Sequence, residues 1–184
     1  MMIIPGFEVS GGTLAGGPLA QLRYPTRYSD HVPIASNRRP PATGTAGRPF
    51  AATTRPQHVI AALDRQRWAK CPAGALSVAF VGDREIAKVH KDFMDDASVT
   101  DVITFVGESN PLEPFAGEIV INVDQARRAG PEHGQSAKAE LLLYLVHGWL
   151  HLAGYRDKKP AEAKAMRAAE ARCLEHLKTR RISL

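Results

Sequence analysis

His147 and His151 stand four residues apart in a strongly apolar run, and Asp157 follows six residues after the second histidine. On an α-helix, residues i and i+4 share a face, so two imidazoles at this spacing can grip one ion. Gly154 ends the run, and an acidic side chain just past a helix end can fold back to supply a third bond. Three protein ligands with a fourth position left for water is the arrangement of a catalytic zinc rather than a structural one. The competing reading is two core histidines, each satisfied by a carbonyl or carboxylate, with Asp157 capping a helix that opens near Pro160. The neighbours weigh toward metal. The helix is apolar nearly all round, through Leu141, Leu145, Val146, Trp149 and Leu150, which is the signature of a buried helix. Burying two imidazoles without partners is costly, and a shared cation removes that cost.

Gly148 lies between the histidines. A glycine inside a helix costs about 1 kcal/mol against alanine, so something must approach closely there, either substrate or a packed neighbour. Gly148 also stands where the metalloprotease motif His-Glu-x-x-His carries its general base. The spacing fits such an enzyme and the base does not. Peptide or other hydrolysis is therefore a second reading, with Glu140 or Glu118 as the base it would need.

The elements that must position these residues can be read from periodicity. A mixed sheet covered by helices is expected, an α/β (α+β) fold with the metal site at the end of a buried helix. Pro56 to Lys70 reads as a helix and Leu76 to Val81 as a strand. Asp83 is placed to cap a second helix through Ile86, Val89 and Phe93. Thr100–Phe105 and Gly117–Asn122 read as strands, paired as a hairpin or as neighbours. A short helix from Asp124 to Ala129 should stop at Gly130-Pro131. Ser136 caps the histidine helix, Gly154 closes it, and Pro160 to Leu177 forms the last helix. A short strand at Phe50–Thr54 is also expected.

The 184 residues suit one domain with a real core, and no stretch has the roughly 20 apolar residues of a membrane span. The first residues lack the pattern of a secretory leader, so a cytoplasmic protein is expected. Cys71 and Cys173 form no Cys-x-x-Cys pair and read as free thiols. The net charge of +5 is uneven: Arg23, Arg27, Arg38, Arg39, Arg48 and Arg55 face only Glu8 and Asp30 in the first 56 residues. Residues 1–48, rich in Gly and Pro, read as a disordered basic extension, and residues 49–184 as the metal-dependent domain. That domain is nearly neutral, so any RNA contact must rest on a local patch.

Four motifs in consistent order give the chain a family resemblance. His147-Gly-x-Leu-His151-Leu-x-Gly-Tyr resembles the signature of the YbeY family, bacterial endoribonucleases of rRNA maturation. Leu76-Ser-Val-Ala-Phe-Val-Gly-Asp83, Thr100-Asp-Val-Ile-Thr-Phe105 and Gly117-Glu-Ile-Val-Ile-Asn122 resemble its strands. Met166 and Glu170 stand where the family has Met-x-x-x-Glu. The resemblance implies a four-stranded mixed sheet and one zinc ion held by three side chains near the helix end. It implies a single-strand-specific endoribonuclease acting in 3′-end maturation of small-subunit rRNA and in ribosome quality control. The implied partners are the small ribosomal subunit, with ribosomal proteins or an assembly GTPase, and no membrane.

Carried over residue by residue, the metal ligands and catalytic residues are His147, His151 and Asp157. The family signature ends in histidine where this chain has Asp157. Aspartate is an acceptable zinc ligand, but it lowers the charge of the site by one, which makes the metal a poorer Lewis acid and raises the pKa of bound water. A family arginine before the Thr-Asp-Val strand is Met94 here, and a family asparagine is His90. Arg156, Lys158 and Lys91 are the expected RNA contacts in that arginine's absence, with Lys159 beside them. Asp101 and Thr100 are expected to shape the site, Asp101 as a partner orienting a ligand imidazole or as a strand-end cap. A ribosome assembly factor with a structural zinc is the non-enzymatic alternative.

Overall fold

A computed structural model describes residues 3–4, 32–33, 56–66, 68–107 and 115–184. In chain order its elements are the dipeptide strands Ile3–Ile4 (β1) and Val32–Pro33 (β2), helix Pro56–Asp64 (α1) and strand Ala75–Val81 (β3). Helix Asp83–Met94 (α2), strands Val102–Val106 (β4) and Phe115–Asn122 (β5), and helices Val123–Glu132 (α3), Ala137–Leu152 (α4) and Pro160–Thr179 (α5) complete it.

The sheet runs β1-β4-β5-β3-β2, with β3 and β5 parallel, β4 and β5 antiparallel, and the dipeptides pairing at the two edges. The sheet is mixed as expected, but the expected four-strand count is not what is found. Three strands of five to eight residues carry it, and each edge adds only a two-residue strand. The expected strand at Phe50–Thr54, and nearly all of the expected extension 1–48, lie outside the described residues.

Successive strand residues point to opposite faces, and here both faces are covered, so the strands read as near-continuous apolar runs. Val78, Val102, Ile119 and Ile121 enter the main core beneath α1, α4 and α5. Val81, Ile103 and Val120 enter a smaller core with Ile86 and Val89 of α2. Met94 packs half-buried at the edge of that second core beside Phe105. Cys173 is buried and Cys71 half-buried, both as free thiols.

Three boundaries differ from the periodicity for local reasons. α1 stops at Asp64, before Trp68. Trp68 instead donates from its indole to Gln66, lies edge-on to Tyr155 and is covered by the Arg172 guanidinium. α2 is capped by Gly82 rather than Asp83, with the Glu85 carboxylate accepting from the Gly82 N–H. The Asp83 carboxylate is taken up by Asn122 and Arg128. α3 runs through Gly130 and Pro131 into its last turn, started by the Asn122 side chain accepting from the Asp124 and Gln125 N–H groups.

Candidate metal centre

The site begins with how α4 ends. Ser136 Oγ accepts from the Ala139 N–H and starts the helix. At the other end Gly154 takes φ +93°, a left-handed conformation that a side chain resists. The Tyr155 N–H returns to the Leu150 carbonyl and the Gly154 N–H to the His151 carbonyl, each at 3.0 Å. This is the paired hydrogen bonding of a Schellman motif, and it reverses the chain over the last turn. The Tyr155 carbonyl thereby reaches His151 Nδ1 at 2.9 Å. Two residues on, Asp157 Oδ2 stands 3.8 Å from Nε2 of each histidine.

The two Nε2 atoms lie 2.9 Å apart. A point equidistant from the three facing atoms is about 2.1 Å from each, the circumradius of a triangle with sides of 2.9, 3.8 and 3.8 Å, which is the length of a zinc bond to nitrogen or oxygen. The tautomers point the same way. A carbonyl only accepts, so His151 must carry its proton on Nδ1, toward Tyr155. His147 Nδ1 faces the Glu170 carboxylate and so also donates. In the neutral form of both rings the Nε2 lone pairs face one another, with a carboxylate closing the third side. That arrangement is repulsive until a cation enters it. Burial, as the leading cause, holds the His151 imidazolium below its ordinary pKa, against the opposing pull of the Tyr155 carbonyl. The neutral ligand form of His151 is therefore kept over a wider pH range. The residues present fit a divalent metal ion, and His147, His151 and Asp157 form a candidate metal-binding group.

Gly148 is explained by packing. A Cβ there would stand 2.6 Å from Ile119 Cγ2 and 3.1 Å from Thr104 Oγ1, so α4 lies against the sheet at this point and the substrate alternative is not needed. The other expected site residues divide. Thr100 and Asp101 line a cavity of about 530 Å³ together with His147, Tyr144, Glu140 and Glu170. Asp101 Oδ1 accepts from the Val102 N–H and the Thr100 hydroxyl, so it serves as a strand-start cap. The carboxylate that meets a candidate ligand imidazole is that of Glu170, at His147 Nδ1. Its sequence signal was the Met166–Glu170 pair, one turn apart, with Met166 buried. Arg156, Lys158 and Lys159 are exposed around Asp157. Lys91 is exposed on α2, paired with Asp95, and does not line the cavity. His90 is buried, with Nδ1 2.9 Å from the Ser98 carbonyl oxygen. Glu140 and Glu118, the bases a peptidase would need, are engaged: Glu140 is 1% exposed and held by Gln135 and His133, and Glu118 meets Ser77.

The family model described as Endoribonuclease YbeY matches residues 49–178. Curated relatives of that name include one from an Anaeromyxobacter species, 37% identical over 97 residues, which cover 52% of this chain and 50% of the relative. One from Bacillus licheniformis is 37% identical over 101 residues, covering 50% and 64%. One from Rhodopirellula baltica is 35% identical over 122 residues, covering 64% and 61%. The chain spans about half the length of the first of these relatives. The matched residues hold β3, β4 and β5, both histidines, Asp157 and Glu170, and the chain belongs to the YbeY family.

Proposed function

We propose that this protein is a zinc-dependent endoribonuclease specific for single-stranded RNA, acting in 3′-end maturation of small-subunit rRNA and in ribosome quality control. The observation that carries this is the convergence of His147 Nε2, His151 Nε2 and Asp157 Oδ2 in a chain of an endoribonuclease family. Two imidazoles and a carboxylate are a zinc donor set, and three protein ligands leave room for a phosphoryl oxygen or water. When bound, the ion supplies Lewis acidity toward a phosphoryl oxygen or lowers the pKa of a water.

The protein's own part is positioning. The rings are held at Nδ1 by Glu170 and the Tyr155 carbonyl. The cavity beside His147 presents Asp101, Glu140 and Glu170, a wall that repels phosphates. The exposed cations Arg156, Lys158 and Lys159 flank Asp157, and the RNA backbone is expected on that side. With Met94 at the edge of the second core, these cations are the substitutes for the family arginine. Among the described residues no helix is long and apolar enough to cross a membrane, which suits a cytoplasmic partner of the small ribosomal subunit.

The test is cleavage of single-stranded and duplex RNA carrying the small-subunit rRNA 3′ region. Wild type should cut the single strand. His147→Ala and a chelated sample should not, and zinc should restore only the chelated wild type. Equal cleavage in all three preparations refutes the proposal.

A further inference from the structure

Glu170 does more than fill a hydrogen bond. Its carboxylate side chain is 15% exposed and reaches His147 Nδ1 from α5, 23 residues away in sequence. Among the described residues His147 is the one hydrogen-bonding partner of Glu170. Among the described residues no lysine or arginine pairs with this carboxylate, which is largely withdrawn from water, a situation that is costly unless a positive charge lies close by. His147 is the group it touches, and beyond His147 lies the point where the three ligand atoms meet.

The position of Glu170 is imposed by packing. Met166, Ala169 and Cys173, on the turns of α5 around it, are 1%, 5% and 0% exposed. The side chain therefore projects from a backbone locked into the main core, and it fixes both the tautomer and the rotation of the His147 ring. The other ring is served differently. His151 is held by the neutral Tyr155 carbonyl, a local contact made by the Schellman turn. Among the described residues, the charge delivered to the centre through a histidine's far nitrogen comes from Glu170. With Asp157, the two carboxylates carry two negative charges against two neutral imidazoles, equal and opposite to a divalent cation.

We infer that Glu170 is a positioning residue that sets how tightly the centre holds a divalent metal, through its hydrogen bond to His147 Nδ1 and through its charge. The inference rests on the metal reading given above. Carboxylates in this outer position on metal-bound histidines commonly govern affinity by about 10–100-fold. Glu170→Gln keeps the shape and the accepting oxygen and removes the charge. Glu170→Ala removes both. Glu175→Gln, at an exposed position of the same helix, is the control.

The readout is zinc affinity of the folded, metal-free proteins by competition with a chromophoric chelator, with the melting temperature of each metal-free protein measured alongside. Glu170→Ala should bind zinc about 10–100-fold more weakly and Glu170→Gln less severely so. Glu175→Gln should match wild type, and metal-free Glu170→Gln should melt close to wild type. Wild-type zinc affinity in both Glu170 variants overturns the inference. A wild-type protein that binds no zinc overturns both this inference and the metal reading. Tight, Glu170-dependent zinc binding by a protein that cuts no RNA overturns only the endoribonuclease proposal.

Discussion

Replacing Gly148 by alanine tests whether the histidine helix is pinned by the sheet. The added Cβ would lie 2.6 Å from Ile119 Cγ2, 3.3 Å from Ile119 Cδ1 and 3.1 Å from Thr104 Oγ1. Carbon–carbon contacts are comfortable at about 3.5–4.0 Å, so close to 1 Å must be found. Ile119 cannot give it. It is fully buried on the central strand, and its Cγ2 branches directly from a stiff χ1. Nor can the sheet bend away, because Val120, the next residue on β5, is packed into the second core on the opposite face. The displacement falls on α4.

Overpacking of this kind costs about 1–3 kcal/mol, against about 1 kcal/mol gained from helix propensity. The net loss of roughly 1 kcal/mol lowers the melting temperature by about 2–4 °C in a chain of this size. The metal consequence is larger in proportion. Gly148 lies between the two histidines, so an outward movement of the helix shifts His147 relative to Glu170 on α5, while Asp157 moves with the turn. Zinc affinity should fall along with stability. A metal-free Gly148→Ala protein that melts at or above the wild-type temperature and binds zinc as tightly would refute the close-packing argument. The same result with RNA cleavage lost would return Gly148 to substrate contact.

Three further outcomes follow from the same neighbourhood. Thr104 Oγ1 is buried without a hydrogen-bond partner among the described residues, so Thr104→Val, nearly equal in shape, should raise the melting temperature by a few degrees, corresponding to about 1 kcal/mol; a fall would show that the hydroxyl is used. Gly154→Ala forces a side chain into φ +93° and should cost about 1 kcal/mol in thermal melts, with weaker zinc binding because the turn carries Asp157; unchanged zinc binding would separate the turn from the site. The folded-state pKa of His151 is lowered, chiefly by burial, so between that value and the ordinary value near 6.5 the unfolded chain binds the extra proton. The stability of the metal-free protein should accordingly decline as pH falls below about 6.5, with His151→Ala flattening that decline in melts taken from pH 7.5 to 5.

What could be read from the sequence was what is decided locally. Ser136 and Gly154 bracket α4 because capping is a matter of one residue and its next few neighbours. The three long strands announce themselves through apolar runs with β-branched and aromatic residues. The errors fall where distant residues outbid local ones. Asp83 has the type of a cap, yet Asn122 and Arg128, far along the chain, claim its carboxylate, and Glu85 serves the cap instead. Gly130 and Pro131 have the types of a stop, yet α3 continues because Gly130 is pressed against the start of α4, where a Cβ would meet backbone at 2.9 Å.

The metal centre divides along the same line, and the division says which parts of it a sequence can change freely. His147, His151, the Gly154 turn and Asp157 lie within eleven residues, so their geometry is written by one helix end. A third ligand carried on that turn, folding back over the last helical turn, can exchange nitrogen for oxygen without rebuilding the fold. Glu170 arrives from α5, whose place is set by Met166, Ala169, Cys173 and Leu177 in the main core. Its charge at His147 thus depends on packing rather than on spacing. The substitution Asp157→His would therefore be tolerated by the backbone while changing the charge balance that Glu170 completes. The zinc affinity of Asp157→His should depend on Glu170 differently from that of wild type, a coupling that a double-mutant cycle over the two positions would read directly.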